Sequence, residues 1–494
     1  MTFSKRTAGI LLPIFSLPSP YGIGSLGEAA YRFVDFLRDA GQHCWQVLPL
    51  SPTSFGDSPY QSPSAYAGNP NFIDLDLLCK DGLLTQADLT LFARENQSYT
   101  DYGDLYLTRP VAFRKAFAAF SGGKEFEDFK NAHAEWLNDY CLFAALKNEC
   151  PERLWQNFDE GIKYRDSSVL ADFCTLYRKE IEYHAFLQYE FYKQWDALKA
   201  YANKHGIKII GDIPIYVAAD SADVWANPGL FELDIELKPV RVAGCPPDAY
   251  CADGQLWGNP LYDWEAHAET GYKWWLMRLG HNLKLFDYLR IDHFRGFESY
   301  YAIPAKDSTA QNGVWVTGPG KAFIRVINEW FAYPPIIAEN LGFLTPAVAE
   351  LLNFSGYPGM GVLQFAFSKS DGKSEHLPHN YTHNSAVYTG THDNNTSRGF
   401  FKKATRIEKS NAKAYFGIKS ESDAALAFVR GVLNSTANLA MVPLADYLNL
   451  DSSARLNTPS VLGGNNWRWR IGRSDLTEKL SKSIKKLTEL SGRN

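Results

Sequence analysis

Three acidic residues, Asp292, Glu339 and Asp393, each close a short apolar run and stand among polar and aromatic neighbours. Their settings are Tyr-Leu-Arg-Ile-Asp-His-Phe-Arg-Gly-Phe, Pro-Ile-Ile-Ala-Glu-Asn-Leu-Gly and Tyr-Thr-Gly-Thr-His-Asp-Asn-Asn-Thr. A short apolar run reads as a buried strand, and a carboxylate at its C-terminal end projects into the mouth of a parallel barrel. Two carboxylates in such a place suffice to break a glycosidic bond. One acid alone is as readily a helix N-cap or a turn aspartate. Three in the same setting point to chemistry.

Cleavage with retention needs one carboxylate ionised as nucleophile and another protonated as acid, so their surroundings must push the two apart. Arg290 lies two residues before Asp292, on the same face of a strand, and a guanidinium there favours the anion. Asp292 is therefore the expected nucleophile. Glu339 follows Ile336, Ile337 and Ala338, and desolvation by such neighbours raises a carboxyl pKa, which makes Glu339 the expected acid/base. Asp393, between His392 and two asparagines, suits gripping vicinal hydroxyls of one sugar ring. Asp212, in Ile209-Ile-Gly-Asp-Ile-Pro-Ile-Tyr, either supports the nucleophile or is a structural turn residue.

Aromatic faces pack on the apolar face of a pyranose while polar groups take its hydroxyls. The informative rings lie in polar loops: Tyr60 in Asp57-Ser-Pro-Tyr-Gln-Ser, and Tyr250 and Trp257, with Asp248, in Cys245-Pro-Pro-Asp-Ala-Tyr-Cys-Ala-Asp-Gly-Gln-Leu-Trp-Gly-Asn-Pro. Trp225 and Trp264 read as local core or loop anchors.

Elements must hold these groups. Strand-like segments fall at 44–48, 71–75, 208–213, 287–292, 335–339, 361–366, 386–392 and 439–444, and eight is the number a (β/α) barrel requires. Helical patterns at 28–40, 269–282, 319–331 and 346–353 alternate with them. The whole chain, 1–494, reads as a single α/β unit, a (β/α)8 TIM barrel with two interruptions. Residues 76–207 form a mainly helical insertion, including Phe126 to Cys150 and Lys179 to His205. Residues 216–268 form a loop-rich insertion lining the active site. The C-terminal pattern Leu476, Leu480, Ile484, Leu487, Leu490 reads as a closing barrel helix rather than a membrane anchor.

Composition narrows the partners. The 494 residues are 45% hydrophobic with a net charge of −5, and the 50 basic residues form no basic arm, which argues against nucleic acid. Seven cysteines show no zinc-like spacing and suit a reducing cytoplasm. The run from Ala8 to Phe15, behind Lys5 and Arg6, superficially resembles a signal peptide, but Pro13 interrupts it and no cleavage motif follows. No apolar run is long enough to span a membrane.

The motifs taken together resemble the amylomaltases, also called 4-alpha-glucanotransferases or disproportionating enzymes, relatives of the alpha-amylase barrels. They are Ala8-Gly-Ile-Leu-Leu-Pro, Ser16-Leu-Pro-Ser, Tyr21-Gly-Ile-Gly-Ser-Leu-Gly, Ser58-Pro-Tyr-Gln-Ser, Gly211-Asp-Ile-Pro-Ile-Tyr, Asp220-Ser-Ala-Asp-Val-Trp, Gly254-Gln-Leu-Trp-Gly-Asn-Pro, Arg290-Ile-Asp-His-Phe-Arg-Gly, Ile337-Ala-Glu-Asn-Leu-Gly, Thr391-His-Asp-Asn-Asn-Thr and Asn466-Trp-Arg-Trp-Arg. The resemblance implies a retaining barrel enzyme that cuts an α-1,4-glucan, holds the donor part covalently and passes it to another glucan or maltooligosaccharide. Asp292 matches the nucleophile, Glu339 the acid/base and Asp393 the third carboxylate. Arg290, His293, His392 and Asn466 match positions at the cleavage point. Tyr60 would stack on the sugar there, while Tyr250 and Trp257, beside Asp248, would line the acceptor side. The family needs no cofactor and no metal, and a monomer or weak homo-oligomer is expected. Two departures stand out: Asn340 where many relatives carry Asp, and Cys251 for a commoner serine.

Two other readings use the same residues. One is an amylase-like hydrolase, although little chain follows Asp446 to form the β-sandwich that amylases append. The other is a non-catalytic glucan-binding protein, which would require a lost catalytic acid.

Overall fold

The computed structural model of the protein describes residues 3, 5–94, 97–247, 252–342 and 344–494. Its centre is eight parallel strands: β1 Thr7–Leu11, β2 Cys44–Gln46, β3 Lys208–Pro214, β4 Tyr288–Asp292, β5 Ile336–Ala338, β6 Gly359–Val362, β7 Ser385–Tyr388 and β8 Leu439–Pro443. They lie side by side in the order β6-β7-β8-β1-β2-β3-β4-β5. The seam between β5 and β6 carries a backbone bond from Ala338 N–H to the Pro358 carbonyl at 2.9 Å. Beside it, Asn340 Oδ1 accepts the Met360 N–H at 2.6 Å, so the residue that departs from many relatives fastens this seam. A carboxylate oxygen could accept the same N–H, so Asp and Asn are equivalent in that respect.

The expected strand count is right, but one member is not. Segment 71–75 is a 3₁₀ turn, Pro70–Phe72, followed by a helix from Leu75 to Lys80. Asn69 caps the turn with proline at its first position, and Asp74 caps the helix through the Leu77 N–H, so cap residues override the apolar content. The missing strand is β1, drawn from the run that superficially resembles a signal peptide; it pairs with β8 on one side and β2 on the other.

Helices cover the outside of the barrel. The main ones are α1 Glu28–Asp39, α2 Arg178–Lys204, α3 Lys273–Leu285, α4 Gly320–Phe331, α5 Pro346–Ser355, α6 Glu421–Leu433 and α7 Glu478–Leu490. In α1 the buried Ala30, Phe33, Val34 and Leu37 follow helical spacing and form the face laid on the barrel. The stretch ahead of α2 holds helices including Tyr102–Ala119, Lys124–Ala132 and Ala134–Glu149. In α7, Ile484 is buried, and Thr488 Oγ1 accepts from the buried Gln42 side chain at 2.8 Å, which ties this helix to the end of α1.

The 216–268 stretch is more regular than a loop. Strands Arg241–Cys245 and Gln255–Pro260 join Ser299–Pro304 and Val314–Thr317 in a four-stranded antiparallel sheet beside the barrel. Its members are short, three of the four contain Gly or Pro, and one pair carries a register shift between Val242 and Gly244, so no clean alternation marks them in sequence. Trp225 is fully buried, and Trp264 packs against the core. Among the described residues, no helix is long and apolar enough to cross a membrane.

Candidate active site

Strand register puts a cation between two acids. On adjacent strands β3 and β4, Asp212 sits opposite Arg290 and Pro214 opposite Asp292. Arg290 Nη1 donates to both Asp212 oxygens, at 2.8 and 2.6 Å, and Nη2 donates to Asp292 Oδ1 at 2.6 Å. Asp212 is therefore a strand residue, not a turn residue. Arg290 and Asp212 are buried, whereas the Asp292 side chain keeps 30% of its surface exposed and faces the mouth. Burial opposes the guanidinium charge, but the two carboxylates outweigh it and hold the Arg290 proton firmly. Ahead of Asp212, Gly211 leaves no room for a side chain, since a Cβ there would lie 2.1 Å from the Phe286 ring.

Lysine carries the same charge but gathers its donors on one nitrogen, so it cannot reproduce the two-pronged reach from Asp212 to Asp292. Arg290→Lys is expected to lower kcat/KM by on the order of 10- to 100-fold, the equivalent of losing ~1.5–3 kcal/mol from one charge-assisted hydrogen bond. Steady-state kinetics on the folded variant check this, and activity within a factor of about two would contradict it.

Glu339 lies one residue beyond β5, buried beside the end of β4. Its Oε2 accepts the His293 N–H and its Oε1 the Leu341 N–H, both at 2.7 Å. His293 adopts φ 53°, ψ 44°, left-handed backbone that costs a non-glycine residue roughly 1–2 kcal/mol. That turn aims its N–H at Glu339, so local strain serves the site. Burial first, and then the charge of Asp292, lift the Glu339 carboxyl from 4.5 to about 7, against Arg290 and the two N–H bonds. The His293 imidazole, half-buried, is lowered to about 4, chiefly by desolvation, and is neutral at pH 7.

Asp393 and His392 sit in the loop after β7. Asp393 Oδ1 accepts from Asn457 Nδ2 at 2.6 Å, its backbone carbonyl accepts from Arg455 Nη2 at 2.6 Å, and its Oδ2 lies 3.4 Å from His392 Nε2. The Tyr60 hydroxyl donates to Asp212 Oδ2 at 2.9 Å, and its ring stacks on His392 with centroids 5.0 Å apart. Trp467 completes this wall, 5.7 Å from Tyr60 and 5.9 Å from His392. On the other side, Trp257 stands edge-on to His293 at 4.9 Å, and Gln61 Nε2 donates to its carbonyl at 3.3 Å.

The fold thus gathers Asp212, Arg290, Asp292, His293, Glu339, His392, Asp393, Tyr60 and Trp257 in one linked network. Asn466 lies behind it: its amide accepts from Thr458 N–H and donates to the Thr458 and Val461 carbonyls, so its side chain braces a loop. Asp248, Tyr250 and Cys251 lie outside the described residues. Asn457, Arg455 and Trp467 did not emerge as site residues from sequence. Trp467 directly follows Asn466 within a quoted motif, and Arg455 and Asn457 sit in the polar stretch after β8; those were the available signals.

Comparison with known proteins gives a consistent result. The family model for 4-alpha-glucanotransferase matches residues 12–475. The 4-alpha-glucanotransferase of Clostridium butyricum is 46% identical over 97% of this chain and 99% of its own. That of Streptococcus pneumoniae is 44% identical over 98% and 97%. The amylomaltase of Streptococcus agalactiae, solved with acarbose, superposes with a TM-score of 0.96 at 40% identity, covering 99% of this chain and all of its own. A carboxylate-lined barrel mouth, a family model over most of the sequence and relatives matched nearly end to end agree: the chain belongs to the 4-alpha-glucanotransferase family.

Proposed function

We propose that this 4-alpha-glucanotransferase works by double displacement, moving a segment of an α-1,4-glucan to the 4-hydroxyl of an acceptor glucan or glucose. In the first step, an Asp292 oxygen bonds to the anomeric carbon while the bond from that carbon to the leaving 4-oxygen breaks. Glu339 gives its proton to that oxygen, and the leaving glucan departs neutral. In the second step, the acceptor 4-hydroxyl attacks the same carbon, its proton passes to Glu339, and the ester to Asp292 breaks.

The observation that carries this reading is the asymmetry of the two acids. Asp292 takes a charge-assisted bond from Arg290, while burial and the Asp292 charge keep Glu339 protonated up to about pH 7. Asp393, fastened by Asn457 and next to His392, is the group that grips the ring hydroxyls. Tyr60 stacks on the sugar at the cleavage point, and Trp257 lines the acceptor side. Asn466 acts from the loop it braces. That the S. agalactiae relative was solved in complex with acarbose supports an α-glucan substrate. The full-length relatives named as transferases favour a sugar acceptor over water.

Maltotriose incubated with purified protein and followed by chromatography tests the acceptor. A ladder of longer and shorter oligosaccharides is expected; products no longer than the substrate contradict transfer.

A further inference from the structure

The loop that presents His392 and Asp393 is anchored at both ends by one buried carboxylate. Asp446 lies just beyond β8 and is 3% exposed. Its Oδ2 accepts from Thr389 Oγ1 at 2.5 Å and Ser397 Oγ at 2.7 Å, and its Oδ1 accepts the Ser397 N–H at 2.6 Å. Thr389 directly follows β7, and Ser397 opens the helix Ser397–Lys403, so one side chain joins the two feet of the 389–397 loop. Between the feet, Asn394 Oδ1 takes the Thr391 N–H and hydroxyl, and Gln364 Nε2 donates to the Asn395 carbonyl. From above, Arg455 and Asn457 hold Asp393. The upper ties belong to the site's rim. Asp446 belongs to the barrel.

We propose that Asp446 is a positioning residue for the transfer reaction, clamping the 389–397 loop so that Asp393 and His392 hold the reacting sugar in register with Asp292 and Glu339. Asp446 is too deeply buried to meet a glucan and acts only through the loop. Three donors converge on its two oxygens, and this explains why a carboxylate is needed. Asn keeps one accepting oxygen and turns an NH₂ toward a group that also donates, whereas Ala leaves all three donors unpaired. The bonds are strong only while the carboxylate is ionised, and burial opposes that by raising the Asp446 pKa.

This inference rests on the reading of Asp393 as a sugar-gripping group, so the experiment is a double-mutant cycle. On maltotriose, Asp446→Asn is expected to lower kcat about 10²-fold, the scale of a small misplacement in a positioned site, with KM changed less than about threefold. In an Asp393→Asn background, the same substitution is expected to cost less than about threefold, because the carboxylate it chiefly positions is already gone and only the alignment of His392 is left to lose. Asp446→Asn keeping kcat within a factor of about two, or costing the same in both backgrounds, overturns the clamp. Full turnover by Asp393→Asn alone refutes the role of Asp393 and the clamp with it, a pattern distinct from either. If Asp446→Asn does not fold, Thr389→Val and Ser397→Ala each remove one hydroxyl donor and are scored in the same cycle.

Discussion

Asp292→Asn is expected to remove nearly all disproportionation, with kcat falling on the order of 10⁴-fold or more, as for loss of a covalent nucleophile that acts as part of a unit. The amide is the same size and still accepts from Arg290 Nη2, so the fold should stay intact; what it lacks is an anionic oxygen to bond the anomeric carbon. A smaller variant gives a sharper test of the role. In Asp292→Gly, azide can occupy the vacated face and attack α-maltosyl fluoride, giving the β-maltosyl azide. Full turnover of Asp292→Asn on maltotriose, or an α-azide from Asp292→Gly, refutes the nucleophile assignment.

Glu339→Gln is expected to lower kcat/KM for maltotriose by about 10²–10⁴-fold, the usual worth of general acid–base catalysis. With α-maltosyl fluoride as donor, the first step should recover, because fluoride leaves without a proton. pH gives an independent measure. Burial and the Asp292 charge raise the Glu339 carboxyl to about 7, and the first step needs it protonated. The acid form is therefore complete well below pH 7 and is lost as pH rises through it. kcat/KM of the parent on maltotriose should decline tenfold per pH unit beyond that point. This limb should vanish for Glu339→Gln acting on the fluoride. A parent profile flat to about pH 9, or no benefit from the fluoride, refutes the acid role.

The basis of these two predictions was unequally legible in the chain. Arg290 and Asp292 are two residues apart, so strand alternation alone puts them on one face, and the structure has them bonded at 2.6 Å. The apolar approach Ile336-Ile337-Ala338 foretells burial of Glu339, which is the first cause of its raised pKa. The second cause, the charge of Asp292, is a contact across strands and has no local mark. Tyr60 and Trp257 were legible as aromatics misplaced in polar loops. The wall that Trp467 makes with Tyr60 and His392 was not, since a tryptophan near the end of a chain reads equally well as core.

Fold reading failed where local chemistry competes with apolar content. Phe72 and Ile73 are both buried, as strand residues would be, yet caps from Asn69 and Asp74 turn the backbone into a 3₁₀ turn and a helix. β1 was hidden for the opposite reason, because Ala8 to Leu12 is a continuous apolar run, and a parallel strand buried on both faces lacks the alternation that marks half-buried ones.

By itself, the sequence pointed to the class of barrel, to the three carboxylates as candidates and to the pairing of Arg290 with Asp292. These follow from spacings of a few residues, where strand geometry leaves little freedom. Tertiary structure alone decided that Arg290 also grips Asp212, 78 residues away, that Tyr60 meets His392 across 332 residues, and that Asp446 holds both feet of the Asp393 loop. Such contacts depend on strand order, register and barrel closure, which arise from the packing of the whole chain and leave no trace in any local run of residues.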